Sequence, residues 1–171
     1  MLMYHPVQDA NHCVFRTLLL LENTVHEFID IELYRLLDFY IVFPHMLKHI
    51  KPLPAELNAY RRVLSKIPDP FESMQNTKRI LYELESLQTV ALHNLLAKQL
   101  IDIDSYKVKQ LKRSIEPIPQ DLSDVLHSSE VSQNEWFRMI VNELPLINFG
   151  GKNGLKKRTG LMEFRYDTEL Q

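Results

Sequence analysis

Four glycines and a single cysteine in 171 residues set the first limits on this chain. Glycine at this level, far below the usual ~7%, leaves few places for left-handed turns. A mostly helical body with polar or proline-bearing joints is the expectation. One cysteine, Cys13, excludes an internal disulfide and agrees with a reducing cytosol. Long apolar runs are also missing. The most apolar stretch, LYRLLDFYIVF at 33–43, is interrupted by Arg35 and Asp38 and stopped by Pro44, too short to cross a bilayer. The start, MLMYHPVQDANHC, has no basic segment followed by an apolar one, so no secretory signal is expected. A soluble, cytoplasmic protein is the reading. Excess charge of one sign is absent too, with a net of −2. Bulk attraction to polyanions is therefore excluded, and any nucleic-acid contact needs a local basic patch.

What the chain does have is helical periodicity. At 171 residues it suits one domain, and a chain of this length buries about 70% of its unfolded surface without staples. The spacing predicts a first helix over 10–28 with Asn11 as its cap. A second starts near Asp30 and is apolar almost all round from Leu33 to Phe43, which marks a central helix. Pro44 should end or kink it, leaving HMLKHI as a short turn. A short amphipathic helix follows at 55–67, then a long one at 71–98. Asp104 is a candidate cap for a further helix that carries Lys107, Lys109, Lys112 and Arg113 toward its end. Residues 116–133, polar and proline-bearing, read as a loop. Ser132 and Glu135 have the capping-box spacing for a last helix.

The tail changes period. All four glycines fall between 150 and 160, with Lys152, Lys156, Lys157 and Arg158 among them. Asn153-Gly154 is a favoured type I′ turn pair. Beyond it Leu161, Glu163 and Arg165 alternate with Met162, Phe164 and Tyr166, a period of two. The fold class expected is therefore mainly α with a small C-terminal β-hairpin: a winged-helix-like single domain, helical body 10–143 and basic hairpin 144–167.

Most chemical signatures fail on spacing. No Gly-Lys-Ser/Thr occurs, and a strand rather than a helix is expected after the glycines, so the tail is not a P-loop. His45 and His49 are four apart, but the segment reads His-Met-Leu-Lys-His, without the glutamate of a zinc protease and with Lys48 repelling a dication. His12 and Cys13 are adjacent and diverge by about 100° on a helix. Glu83 and Glu85 flank Leu84 and cannot converge. No catalytic residue, metal ligand or cofactor is assigned. The basic tail has two readings: a phosphate-contacting or acidic-partner-contacting wing, or a solvated edge whose lysines maintain solubility.

Four stretches taken together carry a resemblance: YHPVQDANHCVFRTLLLLE, IELYRLLDFYIVFPHMLKHI, LYELESLQTVALHNLLAKQLID and LPLINFGGKNGLKKRTGLMEFRYD. In this order they resemble the small middle components of bacterial ABC-three-component systems, a group that includes the small subunit of Lamassu-type anti-phage and anti-plasmid defence. The resemblance implies a non-enzymatic linker between an SMC- or Rad50-like ATPase and an effector, often a nuclease. Partner or DNA contact then falls to Lys152, Asn153, Lys156, Lys157, Arg158 and Arg165. The competing reading is a stand-alone winged-helix DNA-binding regulator, for which AYRRVLSK at 59–66 is the one helix with adjacent arginines.

Overall fold

The computed structural model describes residues 9–71 and 73–162. Helix α1 runs Ala10–Asn23 and is capped by Asp9, whose carboxylate accepts from the Asn11 backbone N–H at 2.8 Å. The cap is thus two residues earlier than expected, and the helix ends five residues sooner. Side-chain capture explains the early stop. The Thr24 hydroxyl donates to the Val141 carbonyl (2.8 Å), and the Val25 N–H donates to Asn142 Oδ1 (2.9 Å). The chain then enters β1, Ile29–Asp30, and turns into α2, Ile31–Val42. From Leu33 to Ile41 every residue of α2 is buried, as an all-round apolar pattern requires. Pro44 ends α2 and opens a 3-10 segment, Pro44–His49, where its missing N–H costs nothing.

A second 3-10 segment, Ala55–Tyr60, leads into the short α3, Arg61–Lys66. The long helix α4 spans Thr77–Ala97 and begins six residues later than its apolar pattern suggests. Asn76, in the left-handed region at φ 55°, caps it through the Arg79 N–H. Helix α5, Ile103–Lys107, is capped by Asp102 rather than Asp104. It ends at Lys107, before Lys109, Lys112 and Arg113, which were expected on it. Lys109 takes φ 62°, and the chain becomes β2, Gln110–Leu111, antiparallel to β1 with Ile29 opposite Leu111. The expected loop at 116–133 holds two helices, α6 (Gln120–Ser128) and α7 (Glu130–Gln133). Leu122 and Leu126, one turn apart, supply the apolar stripe of α6, too narrow to stand out among polar neighbours. Ser129 caps α7, and Ser132, expected to cap the last helix, is buried inside α7, while that last helix starts after Asn134. Helix α8, Glu135–Arg138, widens into a π turn, Met139–Glu143, followed by a 3-10 turn at Leu144–Leu146.

Helices α1, α2 and α4 pack together, with α6 against α1 and the π turn against α2. One contiguous apolar cluster runs from Leu18 to Met162, centred on Tyr34, Phe39, Tyr40 and Phe137.

The expected C-terminal wing is corrected by the structure. The described residues from 144 to 162 hold no strand, and Leu155–Thr159 form a helix, α9. Its first N–H groups are satisfied by the chain folding back. Leu155 donates to the Asn148 carbonyl and Lys156 to that of Phe149, both at 2.9 Å. Leu155 is driven fully into the core, which anchors the turn as a helix start instead of a hairpin tip. Among the described residues the antiparallel strand pair is β1–β2, formed from segments some eighty residues apart. The alternating stretch Glu163–Asp167, including Arg165, lies outside the described residues.

Candidate functional site

The basic tail is a compact glycine loop docked on the body. Gly150 to Gly154 form its turn, with Gly151 at φ 82°, so the left-handed residue is Gly151 and not the Asn153-Gly154 pair. Gly154 is required by contact: a Cβ there would sit 2.1 Å from the Gly150 carbonyl oxygen. Helix α9 follows directly. The loop, Pro54, Glu56 and Ile147 line a depression of about 320 Å³.

The six candidate residues do not share one role. Lys152 and Asn153 are exposed at the turn, and Lys157 is exposed on α9. Lys156 is half-buried beside it. Arg158 is a fastener: its Nε donates to the Asn153 carbonyl (2.6 Å) and its Nη1 to the Pro52 carbonyl. Its own carbonyl accepts from the Lys51 N–H at 3.0 Å. The guanidinium thus closes the loop and ties it to the segment before the second 3-10 turn. Arg165 lies beyond the described residues.

A second constellation is internal. Asp38 on α2 is fully buried and accepts two hydrogen bonds from Arg16 on α1, Nε at 2.7 Å and Nη2 at 3.2 Å. Gln88 on α4 donates to the same carboxylate (2.9 Å) and to the Arg35 carbonyl (3.1 Å). Arg35 reaches α4 through the Glu85 carbonyl and Thr89, both at 3.1 Å. Thr17 donates to the Cys13 carbonyl, so Tyr34 donates its phenol hydrogen to Thr17 at 2.7 Å. Burial opposes the charge of Arg16, but the adjacent Asp38 carboxylate more than restores it and raises its pKa. Burial raises the Tyr34 phenol well above its ordinary value. These bonds cross all three central helices.

A family model describing the ABC-three component (ABC-3C) system Middle Component 5 matches residues 2–167. The chain belongs to that family of middle components. No curated protein and no solved structure matches it.

The other candidates of the sequence are resolved by geometry. In this middle component His45 and His49 lie in a 3-10 segment, where eclipsed positions are three apart, so residues four apart do not share a face. No group of three His, Cys, Asp or Glu side chains among the described residues could hold a metal ion. Cys13 is buried against Asp38 (3.9 Å) and Tyr34 (4.0 Å). Burial first, then the Asp38 charge, pushes its thiol up to about 12, so the nucleophilic thiolate is suppressed. Glu83 pairs with Arg79 (2.8 Å), whereas Glu85 faces Arg35 (3.7 Å), so the two carboxylates diverge. No helix among the described residues is long and apolar enough to cross a membrane.

The Asp38 network was missed by motif reading, yet it had a signal. Arg16 and Asp38 each sit inside an apolar helical run, where an ionised side chain needs a partner.

Proposed function

We propose that this middle component is a non-enzymatic bridging subunit of a cytoplasmic anti-phage or anti-plasmid defence complex of the Lamassu type. It joins an SMC- or Rad50-like ABC ATPase to an effector nuclease. The observation that carries the reading is the family match over residues 2–167, which spans the helical body and the basic tail together. Lys152, Asn153, Lys156 and Lys157, on the loop and helix that Arg158 fastens, form the contact set toward a partner or DNA, and Arg165 joins them by sequence alone. Surface composition supports a protein that works in an assembly. Ile103 and Ile115 are exposed and line one depression, Val108 is exposed after α5, and Ile115 is wholly solvent-facing.

No observation favours a stand-alone regulator. Its only arginine-paired helix, α3, is six residues long, and Arg61 is engaged by Asn58 at 3.0 Å. The test is a tagged pull-down of the chain expressed with its genomic neighbours, followed by native mass measurement. Recovery of a coiled-coil ATPase together with a second, larger subunit is the expected result. Recovery of the chain alone, as monomer or homodimer, overturns the bridging role.

A further inference from the structure

The near-zero net charge hides a strong segregation. Between residues 44 and 70 there are five Lys and Arg against two carboxylates, Glu56 and Asp69. Between 148 and 162 there are four against none. These two segments carry a net of +7, so the remainder of a chain whose total is −2 carries −9. The fold brings them together. Arg158 bonds the Pro52 carbonyl, Lys51 donates its N–H to Arg158, and Pro54 and Glu56 line the same depression as the glycine loop. Helix α3, with Arg62 and Lys66, packs on the 3-10 segments that flank Lys51.

Carboxylates border this end without matching its cations: Asp69 is taken by Lys48, Glu56 is exposed in the depression, and Glu143 and Glu135 lie by Tyr60 at the start of α3. Lys51, Arg62, Lys66, Lys152 and Lys157 are exposed, and their side chains engage no partner among the described residues. Within the two segments no large apolar side chain is exposed; Phe71 and Leu146 are exposed at their borders, and the others, Tyr82, Val90, Ile103, Val108 and Ile115 among them, lie elsewhere. Protein interface cores are depleted in lysine and built on apolar anchors. An uncovered lysine-rich surface without anchors fits a polyanion. Among the described residues the one exposed aromatic at its border is Phe71, too few for a run of stacked bases, so the face fits a phosphate backbone read without sequence.

We infer that the docked glycine loop and the Lys51–Lys66 segment together form one face that binds the phosphate backbone of duplex DNA. This deepens the reading of the basic tail as a contact surface; it does not require the bridging role. Arg158 serves as a positioning residue that holds the two halves of the face together, and Lys51, Lys66, Lys152 and Lys157 contact phosphates.

The test uses the full chain and a fluorescent random-sequence duplex of about three turns, followed by anisotropy across salt. Four phosphate contacts give a log–log salt slope near −3.6, about a 150-fold loss of affinity between 50 and 200 mM salt. The variant Lys51→Glu, Lys66→Glu, Lys152→Glu, Lys157→Glu is expected to abolish this slope and lose at least tenfold at low salt. A control of equal charge change, Lys78→Glu, Lys98→Glu, Lys107→Glu, Lys109→Glu, is expected to keep most of the binding. Both variants are checked for native circular dichroism, and Lys152→Gln with Lys157→Gln serves if the four-fold reversal does not fold. Equal loss in the control, or no salt-dependent binding by the wild type, overturns the inference. Tighter binding of polyglutamate than of duplex assigns the face to an acidic protein and also overturns it. A chain that fails here but recovers its partners in the pull-down leaves the bridging role standing; the reverse pattern leaves the DNA face standing.

Discussion

Replacing Asp38 by alanine is the sharpest test of what holds the three central helices in register. Asp38 is fully buried, and its carboxylate receives both hydrogen bonds of Arg16 and one of Gln88. Removing it leaves a guanidinium whose side chain is 11% exposed without its counter-charge, and a Gln88 amide with one of its two acceptors gone. Breaking a buried pair from one side costs about 3–5 kcal/mol, because the surviving charge stays desolvated. That is a large share of a total stability of about 5–15 kcal/mol. At about 2–4 °C per kcal/mol for a protein of this size, the melting temperature should fall by roughly 6–20 °C.

Urea unfolding followed by far-ultraviolet circular dichroism reads the loss directly, provided the m value is unchanged. Asp38→Asn should not rescue. Either amide orientation points its NH₂ at a donor, Arg16 on one side or Gln88 on the other. The double variant Arg16→Met, Asp38→Leu removes both charges and should recover most of the loss, since an apolar pair of similar volume is often neutral or better. A cost below about 1 kcal/mol for Asp38→Ala, or strict additivity of Arg16→Ala and Asp38→Ala, would refute the network as a structural clamp.

Two further outcomes are expected. Gly154→Ala should destabilise by about 1–3 kcal/mol, since its Cβ meets backbone oxygen, while Gly150→Ala, with open space around it, should stay within about 0.5 kcal/mol; equal effects at the two glycines would contradict the docked-loop geometry. His45 has its pKa lowered from 6.5, by burial first and then by the charge of Lys48. The unfolded chain therefore takes up this proton at higher pH than the native one, so the contribution of neutral His45 is complete above about 6.5 and fades as pH falls through the lowered native value. Chemical denaturation midpoints measured from pH 7.5 to 5.5 should decline less steeply in His45→Gln than in the wild type, and parallel declines would remove His45 from the acid response.

What the sequence displayed plainly was each feature decided within one helical turn or one helix. The all-round apolar α2 and its stop at Pro44 needed no tertiary information, because a buried helix and a missing N–H declare themselves locally. The long α4 was legible from its stripe, though its true start is set by Asn76 adopting a left-handed cap. Features set by distant partners were not legible. Helix α1 stops at Asn23 because Val141 and Asn142 capture Thr24 and Val25 across more than a hundred residues. The stretch at 108–111 leaves the helix to pair with β1, a choice that a two-residue ladder makes only once the body has formed.

The same distinction explains the site. Glycine and lysine between 150 and 158 announced an exposed basic turn, and the turn is there with Lys152 and Lys157 at its surface. Its secondary structure was misread because Asn153-Gly154 favours a hairpin only when two strands can pair behind it. Here Leu155 is pulled into the core and the backbone at 148–149 accepts the first α9 hydrogen bonds, so tertiary burial overrides the turn preference. Arg158 shows the consequence for function. Grouped by charge, it belongs with the lysines; grouped by its partners at Asn153 and Pro52, it is the residue that makes two separate basic segments into one face. Charge counting along the chain found the loop, but only the fold joins it to Lys51 and Lys66.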